Sequence, residues 1–133
     1  MDGTEMIARL VIQGRFPSLN DYVSAERASK KYAASMKRRE TKRVSQAARA
    51  LMRTARGELI RFENPVVVSF KWVEPNARRD IDNIAFAHKF ILDGLVDAGV
   101  LEGDSRKHVV GLQDDFPQPD PDNPRVEVTI MEV

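Results

Sequence analysis

Asp80 and Asp82 stand two positions apart in the stretch RRDIDNIAFAHKFILDGL, which runs from 78 to 95, and Asp104 follows in the loop LEGDS. Carboxylates without a cysteine or histidine partner suit a hard, oxygen-seeking cation such as Mg²⁺. A cation of that kind polarises a phosphodiester and helps to generate the attacking hydroxide. Metal needs acids and substrate needs bases: Arg78 and Arg79 sit directly beside the acids and can offset phosphate charge. Lys89 can stabilise charge developing on the phosphate or on the leaving oxygen. Each of these residues also has a plainer role. Asp80 at a helix start favours the helix dipole, Asp82 can belong to an exposed polar face, and Lys89 can simply pair with Asp93.

The elements that must position these groups are legible as patterns. A helix is predicted from about Ile81 to Ala98, stopped at Gly99. At about 100° per residue Asp82, Lys89 and Asp93 share one narrow sector of it. Side chains lean toward the helix N-terminus, so Lys89 is expected to reach back toward Asp82. Upstream, MIARLVIQ at 6–13 reads as a strand and GRFPSLNDY as a loop. From about Ser29 to Arg56 an amphipathic helix is predicted, with Tyr32, Met36, Val44, Ala47, Leu51 and Ala55 on its apolar face and an end near Gly57. NPVVVSFKWVEPN gives a strand whose two faces are both largely apolar, so it should be central. RKHVVGLQDDF and RVEVTIMEV are two further strands, joined by the turn PQPDPDNP. The order β-α-β-α-β-β implies an α+β fold, one small domain over 1–133 with a mixed sheet packed by two main helices.

Charge is sorted along the chain. Between Arg27 and Arg56 eleven Lys or Arg face a single acid, Glu40, although the whole protein carries only +1. Asp80 to Asp104 is acidic apart from Lys89 and His88, and Asp114, Asp115, Asp120 and Asp122 follow. The basic block reads either as a polyphosphate-binding surface, with Lys37, Arg38 and Lys42 joining Arg78 and Arg79 as DNA contacts, or as a solvated helix face. The absence of cysteine excludes a disulfide framework and a zinc-thiolate site, and fits a cytoplasmic setting. No apolar run approaches the roughly 18 residues of a bilayer span, and the chain begins with acidic rather than basic residues. His88 is expected to be packed or capping, His108 to lie at the surface, and Phe70 and Trp72 to be core. Asn20 can line the site or close a loop.

RRDIDN, then Lys89 and Asp93 in KFILDGL, then DAGVLEGDS, together resemble the signature of the RusA family of Holliday junction resolvases. PSLNDY at 17–22 is similar to the family's Pro-Ser-x-Asn element before a tyrosine. The resemblance implies a Mg²⁺ ion bound by Asp80, Asp82 and Asp104 and assisted by Lys89. It also implies a homodimer that nicks two strands of a four-way DNA junction by phosphodiester hydrolysis, in recombination and repair, two cuts requiring two sites. One spacing departs from the family: its best known member has the lysine four residues after the second aspartate, whereas Lys89 lies seven after Asp82. Counted back from Asp93 the spacing agrees, which implies a three-residue insertion between DIDN and Lys89. Two other classes stay open: a non-catalytic nucleic-acid-binding protein whose carboxylates are structural, and an interaction module whose basic helix meets an acidic partner.

Overall fold

The computed structural model describes residues 6–133; the acidic start of the chain, 1–5, lies outside them. The elements run β1 Ile7–Gln13, α1 Leu19–Ala28, α2 Lys30–Leu51, β2 Val66–Val73, α3 Ile81–Ala85, α4 His88–Ala98, β3 Val109–Asp115 and β4 Arg125–Glu132. The fold is α+β, with the β-α-β-α-β-β layout expected from the sequence, each of the two helical regions being split in two. The sheet order is β1-β4-β2-β3, with β4 antiparallel to both β1 and β2, and β2 parallel to β3.

Period-two burial explains the main core, beside which Ala25, Ala33 and Met36 form a small second cluster between α1 and α2. Ala8, Leu10 and Ile12 of β1, Val126, Val128 and Ile130 of β4, and Val66, Val68, Phe70 and Trp72 of β2 are all buried and meet Val44, Ala48, Phe90, Ile91 and Leu95 from the helices. The alternate face of the sheet is more open: Ile7 and Val11 are exposed, as is Lys71. β2 is interior in the sheet, as expected, yet its second face is only half-covered.

Three boundaries differ from the sequence patterns, each for a local reason. The segment read wholly as a loop at 14–22 becomes helical at Leu19, because Ser18 and Asp21 form a capping box: Asp21 N donates to Ser18 Oγ at 3.1 Å and Ser18 N to Asp21 Oδ2 at 2.9 Å. Ser29, in extended conformation, then separates α1 from α2 and caps the second helix through Tyr32 N. At its other end α2 stops at Leu51 rather than near Gly57, and Arg53 pairs with Leu59 across a turn in which Gly57 takes a φ of 81°. The buried face of α2 comprises Ala33, Met36, Glu40, Val44, Ser45 and Ala48, whereas Tyr32 and Leu51, read as apolar-face residues, are exposed.

The third difference bears on the site. The helix expected over 81–98 breaks at Phe86–Ala87, where Ala87 N bonds to Ile84 O and Lys89 N to Phe86 O, a tighter i to i+3 pattern than the α-helix. Phe86 packs against Tyr22 and edge-on to Phe90, and Ala87 is fully buried. The break falls between Asn83 and Lys89, inside the stretch whose periodicity predicts one continuous helix. Gly99, with φ 87°, ends α4 as the pattern predicts. Among the described residues no helix is long and apolar enough to cross a membrane.

Candidate active site

The segment bearing Asp80 and Asp82 is stitched to the beginning of α1. Arg79 Nη1 donates to the Phe16 carbonyl at 2.8 Å and Nη2 to Asp21 Oδ2 at 3.2 Å. Asn20 N donates to Asn83 Oδ1 at 3.0 Å, so Asn20 closes this junction with its backbone. PSLND and RRDIDN, far apart in sequence, are therefore one structural unit. Arg79, expected to face DNA, has two of its donors committed inside the protein, and its role here is to hold the acidic turn in place. Arg78 remains exposed beside it.

Asp80 is the N-cap of α3 but makes no side-chain capping bond, and among the described residues the Asp82 carboxylate accepts from Asn83 N alone, at 2.9 Å. Both residues are exposed, and among the described residues neither forms an ion pair. The Asp80 carboxylate closes no capping bond, while its place at the start of α3 still suits the helix dipole.

Lys89, at the beginning of α4, does not turn back to Asp82. Its Nζ lies 3.3 Å from Asp93 Oδ1 and 3.6 Å from Asp104 Oδ2. The i to i+3 bonds at the break reset the rotational phase, so positions before and after it no longer share the stripe that an unbroken helix would give. Asp104 arrives by a different route. After Gly99 the chain turns, Leu101 bridges to Phe62, and the loop returns alongside α4. The bond to Asp93 first, and its charge next, raise the Lys89 pKa above the ordinary 10.5; partial burial opposes this and Asp104 adds to it. Lys89 is thus a firm ammonium at neutral pH.

Asp93 has a second partner. Its other oxygen, Oδ2, lies 3.7 Å from Lys37 of α2, while Arg49 of α2 approaches Asp97 Oδ2 at 3.6 Å. The charge segregation of the sequence becomes a face-to-face pairing of a basic helix with an acidic one. Gly94 lets the two helices approach: a Cβ there would come within 2.4 Å of Val44 Cβ and 3.0 Å of the Thr41 carbonyl. Along their seam runs a cleft of about 720 Å³ lined by Lys37, Arg38, Lys42 and Arg49 together with Asp93 and Asp97. A smaller cavity of about 290 Å³ shares Thr41, Asp93 and Asp97 with it and reaches Asp104.

Asp80, Asp82 and Asp104 supply only carboxylate oxygens, a donor set that fits Mg²⁺ chemically. They are not gathered: among the described residues no group of three or more His, Cys, Asp or Glu is close enough to hold a metal ion. Ligation would require these side chains to be drawn together from their present positions.

His88 is packed, as expected. Its ring lies against Phe70 and Trp72, with centroids 4.6 and 5.6 Å away, and its Nε2 is 2.6 Å from Asp114 Oδ1, which also accepts from Trp72 Nε1 at 2.7 Å. This trio fastens the edge strand β3 to β2 and α4. His108 is half-buried beside Gly103, next to the Asp104 loop. Among the contacts that the sequence did not announce are Arg79 to Asp21 and Lys37 to Asp93. The first had a readable trace in the Ser-x-x-Asp capping box, and the second had none. No protein-family model and no curated protein matches the chain.

Proposed function

We propose that the protein is a Mg²⁺-dependent, structure-selective endonuclease of the RusA kind, hydrolysing phosphodiesters of four-way DNA junctions as a homodimer. One observation carries this reading: Lys89 stands between Asp93 and Asp104, and Asp93 in turn reaches the basic helix, so acids, an ammonium and a cationic cleft are contiguous. Magnesium, held by Asp80, Asp82 and Asp104, would polarise the scissile phosphodiester. Lys89 donates a fixed positive charge where negative charge grows in the transition state. Arg78 and the α2 cations Arg38 and Lys42 meet phosphates without reading bases. Arg79 keeps the Asp80–Asp82 turn against α1.

A second reading, a nucleic-acid-binding protein without catalysis, is favoured by the ungathered aspartates and by the two carboxylates already occupying Lys89. End-labelled four-way junction and linear duplex, incubated with and without Mg²⁺, separate the two. The endonuclease reading expects metal-dependent cuts in the junction alone. It also expects Asp82→Asn, Asp80→Asn and Asp104→Asn to retain binding and lose nearly all cleavage. Junction binding with no cleavage by the parent protein at any Mg²⁺ concentration would leave only the second reading.

A further inference from the structure

On the flank of α2 opposite the α4 seam, a cleft of about 680 Å³ opens between α2, α1 and the segment leading into α1. Three guanidinium groups line it, those of Arg15, Arg43 and Arg79, with the carboxylates of Asp21 and Glu40 among them. All three arginines are anchored, in part by groups that line the cleft themselves. Arg15 pairs with Glu74; Arg43 bonds to Glu40 and to the Arg15 and Gln13 carbonyls while lying 4.3 Å over the Phe16 ring; Arg79 holds the Phe16 carbonyl and Asp21. A guanidinium carries five N–H donors, so these bonds fix each group and still leave donors for a ligand. Little side-chain entropy remains to be lost on binding.

At the rim stands Tyr32, 58% exposed on the first turn of α2. An aromatic face in water beside fixed donors and acceptors narrows the ligand. A bare phosphate would gain from the arginines but be repelled by Asp21 and Glu40. A hydrocarbon would take five charged groups out of water and offer none of them a hydrogen bond. A nucleotide uses every part: its base has a face for Tyr32 and an edge of mixed donors and acceptors, and its phosphate suits a guanidinium. The position fits as well, because Arg79 lines the cleft and is joined directly to Asp80.

We propose that this cleft receives a single unstacked nucleotide of the substrate strand, its base stacked on Tyr32 and its edge met by the Arg15–Arg43–Arg79 group and the two carboxylates. The proposal rests on the DNA-endonuclease reading. Base pairs at a branch point lose a stacking neighbour, so extruding one there costs less than within a duplex. The cleft is then where sequence preference is exerted, apart from the phosphate contacts of the other α2 flank.

The test uses the full chain and a synthetic four-way junction with 2-aminopurine placed in turn at each crossover position, in metal-free buffer so that no strand is cut. Anisotropy reports binding and 2-aminopurine emission reports unstacking. The expected result is an emission rise at one crossover position for the parent and for Tyr32→Phe. For Tyr32→Ala the rise should be lost and the junction bound about 5- to 100-fold more weakly. Junction binding without an emission rise at any position, or a Tyr32→Ala protein equal to the parent in both readouts, overturns the proposal and leaves the endonuclease reading standing. No junction binding by the parent overturns both.

Discussion

Lys89 Nζ lies 3.6 Å from Asp104 Oδ2, although one residue lies in the first turn of α4 and the other beyond the turn that follows it. The contact joins a cation chosen by one segment to an acid delivered by another. It makes Lys89→Met, of similar length and without charge, the most informative single substitution. If the ammonium acts in the transition state, the single-turnover rate should fall by roughly 10²-fold or more with junction affinity little changed. A rate within a few-fold of the parent, accompanied by a lower melting temperature, would reduce Lys89 to a salt-bridge residue and move the search for the catalytic cation to Arg78.

The raised pKa of Lys89 fixes the sign of a second expectation. A lysine whose folded value exceeds its ordinary 10.5 stabilises the fold fully below that value, and the contribution is lost as pH rises through the folded value. The difference in melting temperature between parent and Lys89→Met should therefore be constant from about pH 6 to about pH 9 and shrink only above the ordinary lysine value. The side chain is 54% exposed, so the difference should be small. A difference that already collapses near neutral pH would contradict the pairing with Asp93.

The basic flank of α2 should act through phosphate. Replacing Lys37, Arg38 and Lys42 together with glutamine should weaken DNA binding across sequences and flatten the slope of log affinity against log salt, by up to about one unit for each lost phosphate contact. Lys37 should contribute least, since Asp93 already neutralises part of its charge. An unchanged slope would place the DNA on another surface.

Gly94→Ala tests the seam between α2 and α4. Alanine favours a helix over glycine by about 1 kcal/mol, but its Cβ would lie 2.4 Å from that of the fully buried Val44, so one of the two helices must shift. Overpacking of this kind costs about 1–3 kcal/mol, so urea denaturation should show a net loss. The double variant Gly94→Ala with Val44→Ala should be more stable than additivity predicts. Additive behaviour would mean that the helices part without strain.

The alternating strands, the basic and acidic blocks, the stop at Gly99 and the donor chemistry of Asp80, Asp82 and Asp104 are legible without coordinates, because each is a property of residue type and short-range spacing. So is the capping box at Ser18 and Asp21, obscured by the proline and asparagine that otherwise signal a loop. Tertiary structure decided the rest. A helical wheel assumes an unbroken helix, and this one is interrupted where Phe86 packs on Tyr22 and Phe90, with Lys89 turned toward Asp93 and Asp104 rather than Asp82. Whether Tyr32 was core or rim depended on where α1 docks against α2, and whether Lys37 was free depended on how closely Gly94 lets α4 approach. Those are contacts between distant segments, and no local period records them.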